Sequence, residues 1–443
     1  MEYVLRKSME NVSYLIHFYE TQKNYIDKKA KKGTKDNQVG FLIDFYLNVL
    51  ANGTDEDRNR ETFKNLGKFA NKYIEVKEVK DDTVIYAFKD SKMSAKIDVS
   101  ASANNYYKYD QMPSMHINNT IIMIITRFED FISDFIRYLY LKYPKKYLDN
   151  QTICYSEISQ SNLSDIREKI VDREIDTIMR KSYTVWFDTL KEHKMNLDNC
   201  KEECEFLKEL YATRNILVHN CGIVNEQYLK NVSNTKYKFG EKVKLDDSFV
   251  KKAFECIKTI MLCIMIEGIR LEKEMKETLS QLVFHYTFDE LVSKNYNCCK
   301  TVFNALYHST YTDEKHKQMS RVNYWISRIE INGLNDVKSE IENFDITALD
   351  KSFLLAKNIL LCKYKEATDV IEELCEKKEI TSLEIENWPL FSKYRKTNEY
   401  KEFKNLHPEL VSIASHEIDN ETSISDTETT KNVKAELNDI KGK

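Results

Sequence analysis

Helix breakers are scarce in this chain, which has only four prolines and nine glycines in 443 residues. No proline occurs between Pro144 and Pro389. That scarcity disfavours a turn-rich all-β fold and points to helices, whose solvated faces draw on the 31% of residues that are charged. Long apolar runs are missing too. The most apolar stretch, Thr259–Ile266, is bracketed by Lys258 and Glu267 and is too short to span a bilayer, so it reads as a buried helix. The opening residues Met1–Lys7 lack the apolar centre of a signal peptide. Ten cysteines are scattered without a Cys-x-x-Cys pair, and Cys200 with Cys204 has no second pair to complete a zinc site. These absences together lead us to expect a cytoplasmic protein with reduced thiols, no membrane contact, no metal and no cofactor. The net charge of −4 supplies no global basic field, so any nucleic acid would have to meet a local groove.

What is present divides the chain. Its length allows two or three domains. Residues 1–110 open with helical spacing at Tyr14, Leu15, Phe18 and Tyr19 and again at Phe41, Phe45 and Val49, interrupted by an expected lysine-rich loop near Lys28–Lys35. Val84, Ile85, Tyr86 and Phe88 follow Ile74, Val76 and Val79 across Asp81-Asp82, with Ile97 and Val99 beyond, which suggests a hairpin or three-stranded sheet. Pro113 and Pro144 are expected to bracket one long helix carrying Ile121, Ile125, Phe128, Phe131, Phe135 and Leu139. Helical patterns then run over Ile166–Leu190, with a start near Ser164, over Glu202–Val218 and over Asp246–Glu274. Residues 111–278 would thus form a helical bundle. Residues 285–405 read as short paired helices, and the stretch 406–443, rich in Ser, Thr, Asp, Glu and Lys toward its end, as a disordered tail. The fold class is mostly α, with a small α/β region at the N-terminus.

The string Arg214-Asn215-Ile216-Leu217-Val218-His219-Asn220-Cys221-Gly222 carries the chemistry. It lies at the end of a helical pattern, and Asn220-Cys221-Gly222 offers a helix stop, since Asn and Gly both tolerate the left-handed conformation. An imidazole moves protons near neutral pH and a guanidinium holds charge on a phosphate, which are the two groups that RNA cleavage without a metal needs. If both residues are helical, they stand about 7.5 Å apart along the axis and point roughly 140° apart, so one subunit does not converge them on one phosphate. A two-fold axis near this turn would bring two such pairs around one cleft.

This string, with its continuation Ile223-Val224-Asn225-Glu226-Gln227-Tyr228, resembles the signature of the HEPN ribonucleases. The resemblance covers roughly residues 114–275 and implies a helical bundle, a homodimer, and metal-independent cleavage of RNA to 2′,3′-cyclic phosphate and 5′-hydroxyl ends. It also implies a bacterial toxin or an antiviral (abortive infection) effector. His219 would deprotonate the ribose 2′-hydroxyl or protonate the leaving oxygen. Arg214 would grip the non-bridging oxygens through its planar fork, and Asn215 would orient the imidazole or bind ribose. The spacing of Leu354, Tyr364, Ala367 and Ile371, with Lys363-Tyr364 at the turn, resembles a tetratricopeptide unit, so the C-terminal helices would serve as a platform for a protein partner or antitoxin.

Glu129 and Asp130 would brace Arg214 or lie on a solvated face. His116, His193 and His285 have no evident partners in the sequence. Tyr106, Tyr107 and Tyr109 beside Lys108 would stack bases or pack in a loop. The competing reading is a non-catalytic dimerisation or RNA-binding scaffold. A cyclic-oligonucleotide-activated CRISPR ancillary ribonuclease fits less well, because residues 1–110 show neither strand–helix alternation nor a glycine-rich phosphate turn.

Overall fold

A computed structural model describes residues 1–80, 83–94, 96–145, 152, 162–272 and 274–407. Among these the fold is mostly helical, with a single two-stranded sheet. No helix among them is long and apolar enough to cross a membrane. The chain forms two compact units, one of Arg6–Met179 with Cys204–Ile257, the other of Met1–Leu5 and Arg180–Glu203 with Lys258–Lys443.

In the first unit a 51-residue helix, α1 (Glu2–Asn52), runs antiparallel to a later helix of 44 residues, α5 (Val99–Lys142). Four levels of contact fix the direction. The Lys7 ammonium lies 2.6 Å from the Asp134 carboxylate, Tyr19 stacks on His116 with centroids 5.0 Å apart, Gly33 lies against the Tyr109 ring, and Phe41 stacks on Tyr106 at 4.0 Å. Two sequence expectations fail along this pair. The lysines of Lys28–Lys35 sit within continuous helix, because Ala30 and Gly33 are buried there and contacts to α5 continue on both sides. Pro113 lies inside α5 rather than at its start. An interior proline costs a helix about 3 kcal/mol, and packing at Tyr109 and His116, on either side of it, offsets that loss.

Helices α2 (Asp55–Asn59) and α3 (Glu61–Ala70) lead into strands β1 (Ile74–Lys80) and β2 (Thr83–Phe88). The strands pair antiparallel from Ile74 opposite Phe88 to Lys80 opposite Thr83, with an irregularity between Val76 and Glu78. The Asp81-Asp82 turn lies outside the described residues. No third strand forms from Ile97 and Val99. After the one-turn helix α4 (Ser91–Ser94), Val99 is instead the first residue of α5, capped by Asp98, whose carboxylate accepts from the Ala101 amide at 2.9 Å. Ile43, Tyr46, Ala70, Ile74 and Val99 make one buried cluster, so the hairpin, α3 and the two long helices share a core. The division at 110/111 expected from sequence falls within α5.

The C-terminal half of α5 buries Phe128, Phe131, Ile132, Phe135 and Leu139, and α6 (Leu163–Met179) packs on it through its own buried isoleucines and an Arg137–Asp172 ion pair. The start of α6 is set by Asn162, whose side chain accepts from the Asp165 amide at 2.9 Å, rather than by Ser164. The periodic stretch Ile166–Leu190 is two helices, broken between Met179 and Tyr183 ahead of α7 (Tyr183–Glu192). The first unit is completed by residues from Cys204 of α8 (Lys201–His219), by α9 (Glu226–Asn231), and by the start of α10 (Asp247–Ile269).

In the second unit, α11 (Lys276–Val292) packs on α12 (Tyr296–His308), and α12 on α13 (Glu314–Asn332). The expected boundary at 278–285 lies within α11. A short helix α14 (Lys338–Glu342) precedes α15 (Lys351–Leu360), which pairs with α16 (Tyr364–Glu376) across a turn where Cys362 takes a φ of 58°. The buried Lys258 ammonium pairs with the buried Glu290 carboxylate. The chain closes with α17 (Ser382–Asn387), three-ten turns around Phe391 and Tyr394, and α18 (Asn398–Leu406). Residues 408–443, most of the expected tail, lie outside the described residues.

Candidate functional site

The Arg214–His219 string occupies the last two turns of α8. One face of the helix is buried through Leu210, Tyr211, Ala212, Thr213 and Ile216. Asn215, Val218 and His219 are exposed, and Arg214 is half-buried at the edge of that outward strip. Five residues of helix place the two charged-chemistry groups on opposite flanks of the strip. Among the described residues no hydrogen bond or ion pair joins Arg214 to His219. The Arg214 guanidinium instead donates to the Asn215 side-chain oxygen at 3.3 Å.

The turn beyond the helix is held firmly. Cys221 and Gly222 both adopt left-handed backbone, with φ of 51° and 78°, whereas Asn220 does not. The Ile216 carbonyl accepts from the amides of Asn220 and Gly222, each at 2.9 Å. Asn220 donates its side-chain amide to the Ile223 carbonyl at 2.6 Å, which makes it a structural residue of the turn. The loop is then tied to the segment 240–243. The Val224 amide donates to the Glu241 carbonyl at 2.8 Å and the Val243 amide to the Gly222 carbonyl at 2.9 Å. Asn225 caps α9 by accepting from the Tyr228 amide. Ala212, Ile216, Val224, Tyr228, Val232 and Val243 close the core underneath. His219 therefore projects from a rigid platform, as a group positioned for chemistry needs to.

Glu129 of α5 is the neighbour that matters. It is half-buried, and burial raises its carboxyl above the ordinary glutamate range, while the Arg214 charge pulls it back and Asp130 adds to the rise. The Arg214 charge only partly offsets the effect of burial, and among the described residues no hydrogen bond or ion pair joins Glu129 to Arg214. Asp130 points elsewhere, to Arg127 at 3.0 Å.

The other residues singled out from sequence lie apart from this site. His116 stacks on Tyr19. His193 is buried and its carbonyl accepts from Arg270 at 3.0 Å. His285 is exposed on α11. Tyr106, Tyr107 and Tyr109 stand on helix rather than loop, and Tyr106 and Tyr107 pack against Phe41. One feature escaped sequence reasoning. Lys236, Lys244 and Lys252 line an open cleft with Phe206, Tyr237 and Phe249, and the Lys252 ammonium lies 3.9 Å from the Phe206 ring centre. Its only trace in the sequence is the alternation Lys236-Tyr237-Lys238. Glu209, also in the cleft, is raised by burial and lowered by Lys252 and Lys236.

No family model matches this chain, and neither does any curated protein or solved structure.

Proposed function

We propose that the chain is a metal-independent endoribonuclease of HEPN type, with His219 as the proton-transfer group, Arg214 as the phosphate clamp and Asn215 in support. The observation that carries this reading is the placement of Arg214, Asn215 and His219 on the accessible side of a pinned helix end. A nuclease needs those groups open to a phosphodiester, and a packing role would have buried them. The ribose 2′-hydroxyl attacks the adjacent phosphorus as His219 takes or gives the proton. The 5′-oxygen then leaves, and the products are a 2′,3′-cyclic phosphate and a 5′-hydroxyl. Because Arg214 and His219 flank the strip rather than converge, the working site is built by two chains around a two-fold axis. The cellular role we assign is that of a toxin or abortive-infection effector, with the helices of residues 285–405 as the partner platform.

The test is digestion of RNA in EDTA by wild type, Arg214→Ala and His219→Ala, with end groups read by mass spectrometry. Loss of cleavage in both variants and cyclic-phosphate ends are expected. EDTA-resistant cleavage that survives in both variants defeats the assignment. Expression in cells should be toxic only when both residues are intact.

A second reading, a dimerising scaffold without catalysis, draws on one observation: within a single chain nothing connects Arg214 to His219. It forecasts dimers whose RNA binding is unaffected by either alanine and whose RNA is never cut.

A further inference from the structure

The lysines that interrupt the sequence pattern of α1 become, once that segment is helix, a surface. Lys28, Lys29, Lys31, Lys32 and Lys35 are all exposed and fall within an outward arc of the helix, opposite Ala30 and Gly33. Among the described residues none makes an ion pair within 4 Å, although Asp27 and Asp36 flank the run. Helical spacing makes Lys28–Lys31, Lys28–Lys32, Lys29–Lys32, Lys31–Lys35 and Lys32–Lys35 like-charged neighbours, each pair destabilising by roughly 0.2–0.5 kcal/mol. The repulsion falls on a helix that already carries Gly33 in its interior. In a chain of net charge −4, five cations on about two turns are a concentrated field that a polyanion would relieve.

One exposed aromatic ring stands on the same face. Tyr25, one turn before, is 58% exposed, and Lys29 sits over its ring at 5.6 Å. An exposed tyrosine among exposed lysines suits a base that can stack while the phosphates meet ammonium groups.

We propose that this face of α1, Lys28–Lys35 with Tyr25, binds the backbone of single-stranded RNA. The choice of RNA rests on the cleavage reading above; the call for a flexible polyanion rests on the surface alone. The face would hold the strand that the Arg214–His219 site cuts.

Binding is measured with the full chain and a fluorescent 20-nucleotide 2′-O-methyl RNA, which has no 2′-hydroxyl to react, so cleavage cannot enter the result. Each neutralised phosphate contact on a single strand contributes about 0.7 to the slope of log affinity against log salt. Replacing Lys28, Lys29, Lys31 and Lys32 together by Gln should flatten that slope by about 3 and weaken binding at least tenfold near 0.1 M salt. The matching fourfold Arg variant should bind as wild type does, which separates charge from helix stability. Tyr25→Leu should weaken binding several-fold without changing the slope. Equal affinity and slope for the Gln variant and wild type overturn the proposal. So does lysine-dependent binding to phosphatidylserine vesicles without binding to the oligonucleotide. If all-ribose RNA is never cleaved while the 2′-O-methyl strand still binds through these lysines, the cleavage reading fails and this surface stands.

Discussion

The carboxyl of Glu129 on α5 and the guanidinium of Arg214 on α8 are electrostatically coupled, and the coupling is opposed by burial of the acid. Burial wins, so the Glu129 carboxyl is held above its ordinary value. A carboxyl raised in the folded state contributes stability below its unfolded pKa, and that contribution is lost as pH rises through the folded pKa. Glu129→Gln should therefore raise the melting temperature at pH 7 by about 1–2 °C, the shift that about 0.5–1 kcal/mol gives in a unit of this size. The gain should vanish near pH 4. Thermal unfolding at the two pH values checks it, and a variant less stable than wild type at pH 7 contradicts the sign.

If two chains build the site, the Arg of one works with the His of the other. Arg214→Ala and His219→Ala, each inactive alone, should then recover activity when co-refolded. Random assembly makes half the dimers mixed, and each mixed dimer retains one intact combination, so recovery should approach about a quarter of wild type. The rate of RNA digestion as a function of mixing ratio measures it. No recovery at any ratio, from chains shown to exchange, rules out the shared site.

Gly222 holds a φ of 78°, and a methyl group there would meet nothing closer than the Leu217 side chain at 3.5 Å. Strain alone therefore decides the outcome of Gly222→Ala, at about 1–2 kcal/mol of destabilisation. Asn220→Ala removes the 2.6 Å bond to the Ile223 carbonyl and should cost about 1 kcal/mol. Denaturant midpoints check both. Both should also lower the cleavage rate, because the turn positions His219.

Much of this molecule was legible in its sequence. The end of α8 follows from the stop signal Asn220-Cys221-Gly222, with Gly222 left-handed as expected and Cys221, in place of Asn220, the other left-handed residue. The β1–β2 hairpin follows from β-branched and aromatic residues, and the α15–α16 turn from the break at Lys363-Tyr364. What was hidden is hidden for physical reasons. Five lysines and a glycine look like a loop because local propensity and like-charge repulsion both disfavour helix. Only contacts with α5, more than 60 residues away in sequence, keep α1 continuous, and the same contacts carry α5 through Pro113. At the candidate site, residue types alone singled out Arg214 and His219. The partnership with Glu129 depends on the packing of α5 near α8, which no local pattern encodes.

The contact of Gly33 on α1 with Tyr109 on α5 gives the sharpest structural test. A β-carbon on Gly33 would fall 2.1 Å from Cγ of the Tyr109 ring, well inside contact distance. In an isolated helix Gly→Ala is favourable by about 1 kcal/mol. Here the methyl has to push the ring or the partner helix aside, and overpacking of that kind costs about 1–3 kcal/mol. Packing should therefore outweigh propensity, and Gly33→Ala should unfold at a lower denaturant concentration than wild type. Shrinking the ring removes the obstruction, so Tyr109→Ala with Gly33→Ala should be more stable than Tyr109→Ala alone. In that background alanine keeps its helix advantage and meets open space. The sign reversal across the double-mutant cycle, read from urea midpoints, is the expected result. A stabilising effect of Gly33→Ala in the wild-type background would mean that the two helices do not approach at this level.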